Sequence, residues 1–468
     1  MHGPAATPPE TAGAPRRHDV AIVGFGYAGL ATLVHLVDRA SSPLRVAVVG
    51  DDLSGHGLAY GTRDPEHLLN VPAARMSAIA ADGADFVRWL EGPDAADARR
   101  RLGVGPVAST GYAPRALYAA YLDAVRARTV RHAAAARVEI TWIAGSAERL
   151  APAGEGWVVR VGDRALSARA AVLATGNEPK SLTGSLRHPR LHRGPWALDA
   201  QPVAGWEEPV LLLGTSLTAV DALISLRRRG YRGRIVAASR HGLLPWTHPP
   251  QPRPVPPPSA RARAIRTVAD VVSLIEDLRR AGYELPEIVD GLRPHTAAIW
   301  QRLGTEQQRL ALERHVAAWG VLRHRVAPTI GARIARERAE GGLEVRAVSA
   351  IDPVPDGERL HVVLTARDGT VERLTPAAVI DCAGFQLDWT RSERPLLRAL
   401  VADGVVRPHP TGLGVAADDL RVAPGLHALG SLLTGQLWES VAVPELREQA
   451  DRIAARLALI RAAGDADR

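Results

Sequence analysis

An α/β chain, built from two parallel-sheet units with a helical insertion, is the fold class that this 468-residue sequence predicts. Three observations predict it. A strand-like run meets a triple-glycine turn and an apolar helical stretch at residues 20–37, and a second strand–turn–helix start recurs at 208–230. Helix-period patterning then fills residues 261–338. Strands alternating with helical stretches are the mark of βαβ units and a parallel sheet.

Each element follows from its local pattern. Residues 19–24 read as a strand, 28–40 as a helix and "LRVAVVG" (44–50) as the second strand at βαβ distance. "VEITWI" (138–143) and "WVVRVGD" (157–163) read as meander-like strands, and "RAAVLATG" (169–176) as a strand running into a glycine turn. The second unit starts with "EPVLLLGTSLTAVDALISLRRRG" (208–230) and continues in the strand "GRIVAASR" (233–240). The proline-rich stretch 245–260 suits neither helix nor central strand and is expected to be an extended loop. Within the insertion, Val268, Val271, Val272, Ile275 and Leu278 have the spacing of one buried helix face, and a break is expected at 283–287. Residues 359–369 and 377–385 return the chain to strands, and 444–463 form an amphipathic helix opening on a proline.

Composition narrows the function classes. The formal net charge is +8, yet Lys180 is the only lysine and the arginines are scattered, without a basic stripe interleaved with aromatics. That pattern points away from nucleic acid. The single cysteine, Cys382, admits neither an internal disulfide nor a CxxC redox pair, and fits a reducing compartment. No apolar run approaches the roughly 18 residues needed to cross a bilayer. Residues 1–17, rich in proline and alanine and lacking a hydrophobic segment, are expected to be a disordered tail rather than a signal peptide. A cytoplasmic protein with no membrane partner is the expectation. Neither HExxH, a Cys/His metal cluster nor a GxSxG elbow occurs, so no metal is expected.

The chemistry lies in the two turns. Gly24-x-Gly26-x-x-Gly29 follows a strand and opens a helix, the context of a dinucleotide fingerprint. Gly24 permits the tight turn, Gly26 close approach of a pyrophosphate, and Gly29 helix–strand packing, while the helix N-terminus offers free N–H groups to phosphate. The ribose-binding acid belongs at the end of the second strand, where Asp51 stands. The second turn, Gly214-Thr-Ser216-Leu-Thr218-Ala219, has serine in place of the middle glycine. Its second strand ends at Ser239-Arg240; an arginine with no acid at that position favours a 2′-phosphate, and therefore NADPH over NADH. Both units are expected to be Rossmann-like, of the three-layer ββα kind.

The order of these segments resembles the FAD- and NAD(P)H-dependent class B flavoprotein monooxygenases, among them flavin-containing monooxygenases, Baeyer–Villiger enzymes and ornithine/lysine N-hydroxylases. The resemblance rests on the N-terminal fingerprint, "VLATG" (172–176), a His/Trp-containing stretch before the second glycine turn, and "VIDCAGF" (379–385). More closely, residues 57–77, 211–230, 292–303, 323–328 and 435–450 resemble a branch known only as FAD/NAD(P)-binding proteins. It implies an FAD-binding domain in two parts, 18–205 and 375–468. These would flank an NAD(P)-binding domain, 206–374, holding the insertion at about 259–338.

The resemblance also implies flavin contacts from Asn70, Met76 and Ser77, an arginine beside the FAD at Arg115, and close backbone approach at Thr175, Gly176, Gly384, Gly430 and Gly435. Catalysis is expected to be flavin-based, with Asn70, His192 and Trp196 as candidate contributors. In "LTGSLRHPRLHRGPW" (182–196), Gly184 and His188 are not in register with the His192–Trp196 pair, a departure from the Baeyer–Villiger pattern. Cations beside aromatics in the insertion make Arg293, His295, Trp300, Arg323 and His324 candidate substrate contacts, with arginines suited to clamping a carboxylate. The function so implied is an NADPH-using monooxygenase that takes O2 and oxygenates a heteroatom, such as the amine of an amino-acid-like or acidic metabolite. An FAD dehydrogenase with a decayed NAD(P) site and a non-catalytic FAD-binding protein remain as alternatives. The oligomeric state is open.

Overall fold

The computed structural model of the chain describes residues 17–194, 203–250, 253–255 and 259–466. In chain order the strands of its two main sheets are β1 (His18–Val23), β2 (Leu44–Gly50), β3 (Val138–Ala144), β4 (Arg149–Ala153), β5 (Gly156–Val161), β6 (Arg164–Leu173), β7 (Leu191–His192) and β8 (Val210–Leu213). There follow β9 (Ile235–Ser239), β10 (Leu343–Asp356), β11 (Arg359–Ala366), β12 (Val371–Leu374), β13 (Ala378–Asp381), β14 (Arg421–Ala423) and β15 (Leu426–Ala428).

The first sheet runs β14-β15-β6-β1-β2-β3, with β5 and then β4 added beyond β6. Its centre is parallel: Val20 lies between Val46 of β2 and Ala170 of β6. Strands buried on both faces read as continuous apolar runs, as β1 and β2 do. Helix α1 (Tyr27–Asp38) is buried from Tyr27 to Val37 and packs against α2 (Arg115–Ala135) and the C-terminal helix. Its Leu30 and Leu33 are fully inaccessible, and each such burial is worth about 1.5–3 kcal/mol. One expectation is corrected here. Residues 138–143 are not in a meander but form β3, a parallel edge strand in register with β2, Val46 beside Ile140. The antiparallel meander is β4–β5–β6.

The second sheet runs β12-β11-β10-β9-β8-β13-β7. Its parallel centre aligns Leu211 of β8 with Val236 of β9 and with Val379 of β13. Strands β7 and β13 thus join it from either side of residues 206–374. Helix α3 (Leu217–Arg228) follows β8 as α1 follows β1. The insertion then folds as α4 (Ser259–Ala264), α5 (Val268–Arg280), α6 (Leu285–Leu292), α7 (Thr296–Arg302), α8 (Gly304–Arg314), α9 (Val316–Arg323) and α10 (Pro328–Ala339). A capping box on Thr267 starts α5, the threonine hydroxyl accepting from the Asp270 N–H and the Asp270 carboxylate from the Thr267 N–H. The expected break falls between α5 and α6. Helix α11 (Val443–Ala466) lies across α1. Among the described residues no helix is long and apolar enough to cross a membrane.

The two units are tied by charge. Arg115 of α2 meets Asp221 of α3 at 2.8 Å, Arg228 meets Asp64 at 3.2 Å, and the buried His67 ring lies 2.9 Å from the Ser225 hydroxyl.

Candidate functional site

After β1 the chain turns at Gly24, whose φ of +98° belongs to the left-handed region and whose added Cβ would stand 2.4 Å from the Ala174 carbonyl oxygen. Gly214 after β8 repeats the arrangement, with φ +130° and a Cβ position 2.3 Å from the Cys382 oxygen. Only glycine fits either turn. Both turns deliver the chain to a helix N-terminus, Gly26 capping α1 and Ser216 capping α3, and neither cap's own side chain occupies the N–H groups. Such an end attracts phosphate.

Above the first turn is a cavity of about 200 Å³, lined by Gly24, Gly26, His56, Tyr60, Thr175, Gly176, Arg394 and Gly430, among others. The Thr175 hydroxyl is buried and has no hydrogen-bond partner, as expected of a group that awaits a polar ligand. Arg394 donates to the carbonyls of Thr175 and Asn177 at 2.5 and 2.6 Å, fixing the loop after β6. Burial lowers its pKa, against the pull of Glu178 and Asp51. Ser431 donates to the Gly176 carbonyl at 2.8 Å, and the Gly430 N–H is held by Gln449 at 2.9 Å. The glycine turn, the open helix end and the unpartnered hydroxyl fit the phosphate and ribityl portions of a flavin dinucleotide.

The other expected contacts are spread around this cradle. Asp51 is exposed at the end of β2 and accepts from the Ser146 hydroxyl at 2.6 Å. The Asn70 carbonyl accepts from the His248 ring at 3.0 Å, where the two units meet. Met76 and Ser77 are buried behind the cavity: Tyr118 donates to the Met76 carbonyl at 2.9 Å, and the Ser77 hydroxyl donates to the Asp82 carbonyl at 2.6 Å. The Arg115 guanidinium is engaged by Asp221 rather than aimed at the cavity. Gly435 lies against Leu413 and His409 and accepts the Trp300 indole N–H at 2.7 Å. Tyr60 and Arg394 had no signal in the sequence.

At the second cradle Ser216 is exposed and Thr218 half-buried. Arg240, also exposed, ends beside β9, and its carbonyl accepts from Arg367 at 2.8 Å. Gly384 stands past the end of β13, its carbonyl accepting from the Lys180 N–H at 2.9 Å. His192 is buried in β7 beside Ile380, a strand position outside the first cavity, and burial lowers its pKa. Trp196 lies outside the described residues.

The insertion places its cations differently from expectation. Arg293 does not stand free to clamp a carboxylate; it is bidentate to Glu445 at 2.9 and 3.0 Å. Arg323 donates to Glu439 at 2.9 Å, whose other oxygen accepts the Trp319 indole N–H at 3.1 Å. Burial pushes the Glu445 carboxyl up, but Arg293 and Arg323 outweigh it and leave it below the usual range. Arg325 pairs with Asp290, and Arg75 faces the same group. Four guanidiniums therefore meet three carboxylates, and Nη2 of the buried Arg323, 3.7 Å from Glu445, has no hydrogen-bond partner. His324 is exposed and lies among the charges of Arg323, Glu439, Arg293 and Glu445. His295 is half-buried in the short turn before α7.

Trp300 stacks on Trp438, ring centroids 4.7 Å apart and planes 22° from parallel. Trp438 itself has φ +63° and ψ −65°, and the Glu439 N–H reaches back to the Leu437 carbonyl at 2.8 Å. That is a γ-turn of the strained kind. Among the described residues no His/Cys/Asp/Glu group is placed to hold a metal.

Comparison with known proteins agrees with the fold and with the cofactor class. Residues 21–178 match the family described as FAD-NAD(P)-binding. No curated protein sequence matches the chain. Among solved structures, the chain is similar to the ornithine N-hydroxylase of Kutzneria sp. 744, with bound reduced FAD, NADP+ and L-ornithine in its description. The TM-score is 0.65 at 15% identity, over 95% of this chain and 100% of that one. The reduced ornithine hydroxylase of Pseudomonas aeruginosa gives 0.64 at 17% identity, over 95% and 99%. The FAD-bound cadaverine monooxygenase of desferrioxamine biosynthesis from Erwinia amylovora gives 0.64 at 10%, over 95% and 94%. The chain thus carries an FAD-NAD(P)-binding region at residues 21–178, set within the two-sheet fold of the flavin-dependent amine monooxygenases.

Proposed function

We propose that the protein is an FAD-dependent monooxygenase that draws hydride from NADPH and hydroxylates the amine nitrogen of a small acidic or amino-acid-like metabolite. The overall change is R–NH2 + O2 + NADPH + H+ → R–NHOH + NADP+ + H2O. The observation that supports this best is the pair of matching cradles, Gly24 with α1 and Gly214 with α3, beside a recess with one guanidinium in excess. FAD supplies the hydride acceptor and the chemistry with O2.

The chain's own residues bind, orient and shield. The N-terminus of α1 and the Thr175 hydroxyl hold the flavin's polar portions, with Asp51 at the ribose and Arg394 fixing the loop that frames them. Ser216 and Thr218 at the start of α3 hold the nicotinamide dinucleotide, and Arg240 takes its 2′-phosphate. In the recess, Arg75 and Arg323 Nη2, which lies 3.7 Å from Glu445 and donates to no acceptor, attract the substrate's carboxylate. The His324 ring, in its neutral form, accepts a hydrogen bond from the substrate's nitrogen.

The test is the absorbance spectrum of purified protein before and after anaerobic NADPH, followed by O2 and chemical detection of a hydroxylamine. Flavin bleaching and hydroxylamine are expected. A protein that takes up no FAD, or that yields only peroxide with every amine, refutes the reading. Ser216 favours a second reading, a dehydrogenase without pyridine nucleotide. Flavin bleached by a substrate alone, with NADPH inert, decides for it.

A further inference from the structure

We propose that an apolar cavity inside the helical insertion receives the hydrophobic body of the substrate, an aromatic ring or a branched alkyl group. The cavity encloses about 200 Å³ between α5, α6, α7 and α9. Val271, Val272 and Ile275 of α5 line it on one side, and Trp300, Trp319 and Trp438 on the other. Val271, Val272 and Ile275 of the expected core face of α5 are thus only half-buried, because they look into the void, whereas Val268 is buried.

The chemistry of the walls selects the occupant. The Trp300 and Trp319 indole N–H groups are already spent on Gly435 and Glu439, so these tryptophans offer a ligand no donor. An engineered cavity of roughly 150 Å³ with comparable aliphatic and aromatic walls stays dry and admits benzene. A somewhat larger one suits a benzene-sized group with a short linker. The polar residues of the lining are Thr296, whose hydroxyl donates to the Leu292 carbonyl, and the exposed His315, so no carboxylate stands here to meet a bare polymethylene ammonium chain.

Position links the cavity to the recess and the flavin cradle. Trp319 joins the cavity wall to Glu439 and through it to Arg323. Trp438 forms the wall, its neighbour Glu439 belongs to the ion cluster, and Val441 and Leu446 line the first cavity. One short segment therefore borders all three compartments. A molecule with its ring among the tryptophans sets its polar end at the Arg323–Glu439 side. The inference rests on the amine-hydroxylation reading and sharpens it: the substrate is an amine or amino acid with an apolar, ring-sized side chain.

The experiment is calorimetric titration of the FAD-loaded protein, without NADPH, using L-phenylalanine, 2-phenylethylamine and L-ornithine. The aromatic probes are expected to bind saturably and ornithine not at all. Ile275→Trp, which fills the cavity, is expected to weaken aromatic binding about tenfold or more. Ala318→Leu is the milder filling variant should the first fold poorly. Aromatic binding unchanged in both folded variants, or ornithine preferred, overturns the proposal. So does a change confined to the sedimentation of the variants, which would assign the cavity to a contact between copies of the chain. Aromatic binding without hydroxylamine on adding NADPH and O2 leaves the cavity standing and removes the amine-hydroxylation reading. Turnover of ornithine with the aromatic probes ignored does the reverse.

Discussion

Arg115 and Asp221 face each other at 2.8 Å across the boundary between the two nucleotide-type units, with side chains 15% and 8% exposed. An ion pair so enclosed adds little net stability over an apolar pair, but losing one partner strands the other charge. Asp221→Ala is therefore expected to lower stability by about 3 kcal/mol, whereas Arg115→Met with Asp221→Leu recovers most of it. Denaturant midpoints of the single and double variants check this. Additive losses in the double variant would show that the pair does not act as a unit.

Flavin retention is expected to hinge on two neighbouring positions for different reasons. Gly24→Ala places a methyl 2.4 Å from the Ala174 oxygen in a left-handed turn, so the purified protein should be colourless even after FAD is added. Thr175→Val removes a hydroxyl that has no partner in the chain. It should leave the melting temperature of FAD-free protein unchanged yet weaken FAD by about five- to tenfold, the worth of one hydrogen bond. An equal loss of FAD-free stability would mean that the hydroxyl serves the fold instead.

The choice of nicotinamide is expected to follow Arg240. A charged contact to phosphate is worth about 1.5–3 kcal/mol, so Arg240→Ser should raise KM for NADPH by about 10–100-fold and leave NADH unaffected. Steady-state NAD(P)H oxidation at fixed ionic strength is the measurement. A parallel rise for both nucleotides would point to a disturbed fold rather than a lost phosphate contact.

Acid should weaken the fold through two histidines. Burial lowers His427 and His248 to about 4, assisted by Arg421 and Arg325 respectively. The unfolded chain takes up these protons near pH 6.5 and the folded one only near 4, so their contribution is complete above 6.5 and is lost as pH falls from there. For His427, only 2% exposed, the loss at pH 5 is about 2 kcal/mol. Urea midpoints at pH 7.5 and 5.0 should differ less in His427→Leu than in the parent; identical differences would exclude this origin.

What the sequence disclosed is what short segments decide. The turns at Gly24 and Gly214 are local backbone requirements, so spacing alone located them and the helices they start. Strand β3 was legible as a strand and illegible as a neighbour of β2, since alternation reports a face and never a partner. Arg394 meets the loop after β6 from more than 200 residues away, and no local pattern encodes such a meeting. The arginines of the insertion were visible as charges, whereas Glu439 and Glu445, over 100 residues downstream, determine what they hold. The apolar stripe of α5 announced a covered face; periodicity is silent on whether protein or a void lies opposite.

Cys382 lends the second unit an internal clock. The sole thiol of the chain is sealed behind the Gly214 turn at 1% exposure, and burial raises its pKa. A thiol reagent can therefore reach it only when the packing around the end of β13 opens. Its labelling rate reports how often that packing opens, undisturbed by any other sulfhydryl.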